Sequence, residues 1–194
     1  MISLRDAGQA SLAFFYFDFR DNDKKQDFRN FITSLLVQLS AHSSMCCKLI
    51  SHIYSRHGKG RQQPSLDVLK TCLRDMLKVA AQQPIYVIVD ALDECPNSSG
   101  IPNPREVVLD LLESIVNLDL PNLHICVTGR TEADIQDVLG PFASIISLHD
   151  EAGHRRDIHS YVSRFVSSDR TMRKWQSDQK ELVVEELSKK AGGM

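Results

Sequence analysis

Short, nearly unbroken apolar runs recur along the chain. Four of them are too short for globular helices and lack the polar alternation of a half-exposed antiparallel sheet: Leu12–Phe19, Ile85–Val89, Leu123–Val127 and Phe142–Leu148. Runs of this kind are typical of parallel strands buried on both faces. We therefore expect a parallel sheet of at least four strands.

Longer segments with apolar residues at three- and four-residue steps separate these runs, and this period predicts amphipathic helices. Ser65 suits the N-cap of one of them, and Pro84 follows its end. The predicted helices start near Gln26 and continue to Leu39, then cover Ser44–Ser55, Ser65–Ala81, Arg105–Leu118, Glu132–Leu139, Glu151–Ser167 and Ser177–Lys190.

The alternation of strands and helices predicts an α/β fold, with helices on both faces of a parallel sheet in a three-layer α/β/α arrangement. The strands fall within residues 1–150, and residues 151–194 read as a C-terminal helical segment. In such folds ligands bind where the strands end and helices begin. We therefore look for chemistry at the carboxyl ends of the strands.

Composition and charge restrict the classes of function that the chain can have. The 194 residues carry a net charge of -2, so no basic excess is available to follow a nucleic-acid backbone. No apolar run reaches the ~20 residues of a membrane span, and no secretory signal begins the chain. The five cysteines show no C-x-x-C spacing, which favours reduced thiols over disulfides or zinc. We expect a cytoplasmic protein that binds neither nucleic acid nor membrane.

Three carboxylates follow the most strand-like run: Asp90, Asp93 and Glu94. A carboxylate at a strand end can hold the Mg²⁺ of a nucleoside triphosphate, and a second acid can polarise an attacking water. Arg130 follows the next strand and could reach a γ-phosphate. A simpler interpretation stays open: the acids solvate or cap the turn, and Arg130 is a surface residue.

The segments PIYVIVDALDECP and LPNLHICVTGRTEADIQDVL resemble the Walker B and sensor 1 elements of additional-strand (ASCE) P-loop NTPases. With FFYFDF and LHDEAGHRRDIHSYV, they resemble the NACHT domains of STAND-class signalling NTPases, in particular those of large fungal NLR-like receptors of the nephrocystin-3-like kind. Gly129 and Thr131 stand where that family usually has Ser and Pro.

The resemblance implies a nucleotide-dependent switch for signal transduction and oligomerisation, with Mg²⁺ and ATP or GTP as cofactors. Asp90 would position Mg²⁺ as the Walker B residue. Glu94 and Asp93 would activate water, and Arg130 would act as sensor 1.

The phosphate loop of this family, G-x-x-x-x-G-K-[ST], is not in the sequence. The string Gly58-Lys59-Gly60 lacks the first glycine and the Ser or Thr, so we reject it. By resemblance the chain begins at the second strand and reads as a truncated NACHT domain that stops before the winged-helix region. We expect it not to bind or hydrolyse NTP.

The family's strand order, 5-1-4-3-2, makes the missing first strand the central one. Phe142–Leu148 would then lose its neighbour, and Leu123–Val127 would have a bare edge. An alternative function is a non-catalytic interaction module that pairs with full-length relatives. An α/β hydrolase is disfavoured because no G-x-S-x-G motif is present.

The remaining histidines and cysteines are not predicted to bind a metal or to take part in catalysis. His149, His154 and His159 are five residues apart and do not share a helix face, so we expect no metal site there. His124 is predicted to lie in the core, and the Cys46-Cys47 pair is predicted to pack within a helix.

Overall fold

The computed structural model describes residues 9–20, 27–80, 83–97, 103–147 and 152–190. The chain divides into two compact units, one up to residue 143 and the other from residue 144. The first unit contains the sheet and the predicted site residues. The second is helical.

In the part of the chain that the structure describes, the sheet of the first unit has three parallel strands, β1 (Ser11–Tyr16), β2 (Ile85–Asp90) and β3 (Leu123–Val127), in the order β1-β2-β3. Phe14 pairs with Ile88, which pairs with Cys126. Three of the four predicted strands and their parallel direction are thereby confirmed. The order also agrees with the adjacency expected for the second, third and fourth strands of the resembled sheet.

Within the described residues, this unit contains five helices: α1 (Phe28–His42), α2 (Ser44–Arg56), α3 (Leu66–Ala80), α4 (Pro104–Val116) and α5 (Ala133–Leu139). At the N-termini of α1, α2, α3 and α4, side-chain oxygens accept from backbone N–H groups that the helix leaves unpaired, whereas α5 has no such side-chain cap. Ser65 is one such cap, since its Oγ accepts from the Val68 N–H at 3.3 Å. The predicted helices are confirmed to within three residues, the largest difference being at the end of α1, which continues to His42 rather than Leu39. Gln26 and Ala81 lie outside the described residues.

The core lies between one face of the sheet and the helices. Phe15 of β1 packs edge-on against Phe31 of α1, with ring centroids 5.3 Å apart. Val87 and Val89 of β2 are buried on the same face. α3 and α4 contribute further buried side chains to this core: Leu73, Met76, Leu77, Val108 and Leu112.

The other face of the sheet is largely open among the described residues, although Leu12 of this face is buried. Phe14 is 47% exposed and Tyr16 is 45% exposed, and His124 and Cys126 are also exposed. The prediction of strands buried on both faces is therefore wrong here, as is the core position for His124. The reason is the topology of the sheet. The connection from β1 to β2 and the connection from β2 to β3 cross the sheet in the same direction. Because both crossovers are right-handed, the helices in these connections lie on the same face of the sheet. The arrangement is compatible with a three-layer α/β/α fold.

The predicted strand Phe142–Leu148 is also wrong over its described part. Gly140–Phe142 forms a 3₁₀ turn and residues 143–147 have no regular structure, while Leu148 lies outside the described residues. Ile145 is 69% exposed and Ile146 is 77% exposed. A strand needs a neighbour for its backbone hydrogen bonds, and no described strand pairs with this segment.

The second unit contains α6 (Ala152–Ser168), a 3₁₀ turn (Thr171–Lys174) and α7 (Ser177–Lys190). Val166 and Val184 are its buried apolar side chains among the described residues. Both predicted C-terminal helices are thereby confirmed, apart from Glu151, which lies outside the described residues.

Candidate functional site

Residues 90–94, which we call the acidic turn, continue from the end of β2. Ala91 has the left-handed backbone conformation (φ 53°, ψ 48°), which reverses the chain direction into a 3₁₀ turn over Leu92–Glu94. The Leu92 side chain is fully buried and anchors that turn in the core. The three acids of the turn are thereby held at the carboxyl edge of the sheet.

Thr128, directly after β3, joins the acidic turn to the neighbouring strand. Its hydroxyl donates to Asp90 Oδ1 and accepts from the Ala91 N–H at 3.1 Å. Its carbonyl accepts from the Leu92 N–H at 2.9 Å. The exposed Asp90 carboxylate is therefore fixed from β3, and its second oxygen takes part in none of these bonds.

Asp93 lies against the loop that follows β3. Its Oδ2 is 3.6 Å from Arg130 Nε, and its side chain is 11% exposed whereas that of Arg130 is 86% exposed. A Cβ at Gly129 would lie only 3.0 Å from Asp93 Oδ1, so a glycine permits this close approach. Because Arg130 is so exposed, the pair contributes at most about 1 kcal/mol to stability.

Glu94 points to the other neighbouring strand. Its Oε2 accepts a hydrogen bond from the Phe19 N–H at 3.1 Å, just beyond β1. The structure thus brings Asp90, Asp93, Glu94 and Arg130 together at one edge of the sheet. Their catalytic and sensing roles stay predictions.

Arg105, near the start of α4, is a site residue that sequence reasoning missed. It is only 7% exposed, and its guanidinium donates to the Asp93 carbonyl at 2.6 Å and to the Cys95 carbonyl at 3.0 Å. Its Nη1 is 3.3 Å from Asp134 Oδ2 on α5. The sequence does contain an indication that Arg105 is buried, because position 105 continues the apolar stripe of this helix at Val108 and Leu112.

An open cleft of about 560 Å³ lies beside the acidic turn. Its charged lining consists of two carboxylates and two guanidiniums, and burial raises the pKa of the Cys95 thiol to about 12 despite the opposing charge of Arg105. The lining residues are Phe19, Asp93, Glu94, Cys95, Pro96, Asn97, Arg105 and Arg130. The cleft can accept a polar ligand that carries charges of both signs.

Among the described residues no group of three or more His, Cys, Asp or Glu side chains could hold a metal ion. Mg²⁺ commonly uses one or two carboxylates and takes its other ligands from water and substrate phosphates. The exposed carboxylate of Asp90 fits that limited role. It does not form a metal cage by itself.

The other sequence candidates lie apart from this edge or lack partners for chemistry. The His124 ring stacks on Tyr86, with centroids 5.0 Å apart, on the open face of the sheet. His159 is exposed on α6, His149 lies outside the described residues, and Cys46 is buried. Gly58, Lys59 and Gly60 all have positive φ and follow α2 rather than a strand.

Comparison with known proteins places the chain in a family. The family model described as nephrocystin 3, N-terminal, matches residues 2–130, which is more than half of the chain and includes all three strands and Arg130. No curated protein and no solved structure matches the chain significantly. In the described part of the chain no helix is both long and apolar enough to cross a membrane. The chain belongs to the nephrocystin 3 N-terminal family.

Proposed function

We propose that this chain is the body of a NACHT-type STAND NTPase domain, a nucleotide-controlled switch for signalling and self-assembly. One observation carries the proposal: the ends of two adjacent parallel strands bring Asp90, Asp93, Glu94 and Arg130 to one edge of the sheet. This is where α/β folds bind ligands. Family membership supports it further, since the matched region spans these residues.

Each residue has a proposed role. Asp90 would hold Mg²⁺ that arrives with the nucleotide, Glu94 with Asp93 would polarise the attacking water, and Arg130 would contact the γ-phosphate. The bound Mg²⁺ would neutralise charge on the phosphates. Before nucleotide binds, Asp93 and Arg130 pair with each other, so the γ-phosphate would compete with Asp93 for the guanidinium.

The 194 residues do not contain G-x-x-x-x-G-K-[ST], whose backbone N–H groups and lysine hold the phosphates. We therefore expect no measurable ATP or GTP hydrolysis from the purified 194-residue chain. Turnover that Asp90→Asn or Glu94→Gln abolishes would contradict this part of the proposal.

The switch itself is tested in a longer product in which a strand and a phosphate loop precede Met1. Such a chain should bind Mg²⁺-ATP and lose binding in Asp90→Asn, while Glu94→Gln should bind and fail to hydrolyse. Asp110→Asn, which removes an exposed acid of α4, is the matched control and should behave as wild type. Nucleotide binding that is insensitive to Asp90→Asn would refute the assignment.

A second candidate function is a non-catalytic interaction module that pairs with full-length relatives. Charge separation within the first unit favours it. Residues 27–80 carry eight Lys or Arg and three Asp or Glu, whereas residues 83–143 carry two Lys or Arg and ten Asp or Glu. Exposed Lys48 and Arg56 lie on α2, and α4 bears acids at helical spacing in Glu106, Asp110 and Glu113.

Surfaces of opposite sign steer association between partners. Co-purification with a full-length relative, weakened by added salt and by Lys48→Glu with Arg56→Glu, would support the interaction module. A stable monomer that ignores such relatives at low salt would count against it.

A further inference from the structure

The position of Arg105 is electrostatically unfavourable without partners. The side chain is buried, and it occupies the first turn of α4, where the helix dipole disfavours a positive charge. A buried charge is retained when it is paired and hydrogen-bonded. The partners of Arg105 therefore explain why the residue can occupy this position.

These partners belong to two different segments of the site. The carbonyls of Asp93 and Cys95 are at the end of the acidic turn, and both accept from the Arg105 guanidinium. Asp134 belongs to α5, which begins three residues after Arg130. One side chain thus joins the segment with the acids to the segment that follows the proposed sensor.

Two asparagine side chains connect Asp134 to the start of α4. Asn97 Nδ2 donates to Asp134 Oδ2 at 3.2 Å, and Asn103 Nδ2 donates to Asn97 Oδ1 at 2.7 Å. Asn103 also caps α4, since its Oδ1 accepts from the Arg105 N–H at 3.1 Å. The carboxylate of Asp134 is therefore fixed in place for Arg105.

We propose that Arg105 is a positioning residue that couples the acidic turn to α5, so that the Arg105–Asp134 pair sets the placement of Asp93 and Glu94 relative to Arg130. The catalytic meaning of that placement rests on the proposed nucleotide function. The coupling itself does not, because it joins two segments of the chain with or without a ligand.

If Arg105 couples the two segments, a change at Asp134 should alter the acidic turn. Removing the charge of Asp134 should loosen the acidic turn, although position 134 is far from that turn in sequence. Cys95 reports this loosening because the residue is only 1% exposed and its own carbonyl accepts a hydrogen bond from Arg105. The two other buried thiols, Cys46 and Cys72, lie in α2 and α3 and report general unfolding.

The experiment is labelling of the native 194-residue chain with a thiol reagent, with each site read by peptide mass spectrometry. In wild type, exposed Cys47 and Cys126 should react quickly and the three buried thiols slowly. Arg105→Gln leaves two carbonyls without their charged donor, so Cys95 should react at least ~10-fold faster. Asp134→Asn should accelerate Cys95 by about 3- to 5-fold, because the pair is partly exposed.

Three comparisons separate positioning from general support. Asp137→Asn, an exposed acid on the same helix, should leave Cys95 unchanged. Arg105→Lys keeps the charge but not the planar set of donors and should give an intermediate rate. In ¹H–¹⁵N spectra, Asp134→Asn should move the amide signals of both Glu94 and Arg130.

The proposal is overturned if Cys95 stays within twofold of wild type in Asp134→Asn. It is equally overturned if Cys46 and Cys72 open together with Cys95, because the pair would then support the whole fold only. Neither readout involves a nucleotide, so failure here is distinguishable from failure of the nucleotide proposal.

Discussion

Ala91 adopts a backbone conformation that favours glycine, and Ala91→Gly should stabilise the first unit. Its φ of 53° lies in the left-handed region, where an L-residue crowds its Cβ against the following carbonyl. The conformation is imposed by the turn that places Asp93 and Glu94. Glycine adopts it without that steric cost.

The net effect is the balance of three terms. Relief of the left-handed conformation is worth about 1–2 kcal/mol. Against it stand about 0.5–1 kcal/mol of added freedom in the unfolded chain and a few tenths for the half-buried methyl group, on the scale of ~0.8 kcal/mol per fully buried CH₂. We expect Ala91→Gly to raise the free energy of unfolding by about 0.5 kcal/mol, and Ala91→Val to lower it by at least ~1 kcal/mol.

The assay is urea unfolding followed by brief thiol labelling of Cys46 and Cys72, which belong to the first unit. Ala133→Gly is the control, because Ala133 is exposed in the first turn of α5 and glycine there should cost up to ~1 kcal/mol. The reasoning is refuted if Ala91→Gly destabilises the unit as much as Ala133→Gly does.

Three further predictions concern the same edge and the core beneath it. Leu92→Ala should lower the free energy of unfolding by about 2–5 kcal/mol because Leu92 is fully buried. Leu182→Ala, at an exposed position, should change the free energy of unfolding by less than ~0.5 kcal/mol. Urea unfolding measures both values. Gly129→Ala places a Cβ 3.0 Å from Asp93 Oδ1 and should lower the free energy of unfolding by about 1 kcal/mol. At Gly140 a Cβ meets open space, so Gly140→Ala should leave the free energy of unfolding unchanged or raise it. Equal urea midpoints for the two variants would contradict this prediction. Burial raises the pKa of Cys72 to about 11 and the pKa of Cys95 to about 12 from 9.0, so the folded chain keeps protons that the unfolded chain loses. The free energy of unfolding should therefore fall as pH rises from 9 to 11, and it should fall less steeply in Cys95→Ala. Circular dichroism measures this stability, and a free energy of unfolding that does not change over this pH range would refute the prediction.

The sequence predicts β2 and β3 closely because their apolar runs are short, rich in β-branched residues and bounded by turn residues. Convergence of Asp90, Asp93, Glu94 and Arg130 could be predicted as well. Parallel neighbouring strands end at the same edge, so residues just after them must meet.

Two features depend on tertiary partners that a local pattern does not reveal. The apolar run at residues 142–147 has the composition of a strand, but strand formation requires an adjacent backbone, and the described sheet provides none. Exposure of Phe14 and His124 likewise depends on which helices cover which face. Local apolar character predicts burial without saying where the cover comes from.

Arg105 illustrates the same limit for the site. Its place on the apolar stripe indicates burial, but its hydrogen bonds to the acidic turn depend on how α4 and α5 meet. A charged residue on an apolar stripe therefore indicates that a buried charge needs partners, without indicating which segments of the chain provide them.

The central claim is that the acids and Arg130 of this chain belong to a nucleotide switch, and the most direct test is to read the transcript upstream of the codon for Met1. We predict an open frame that runs through a strand and G-x-x-x-x-G-K-[ST] into this sequence. An in-frame stop codon directly upstream, with no such motif, would contradict the nucleotide function and leave the interaction module as the better account.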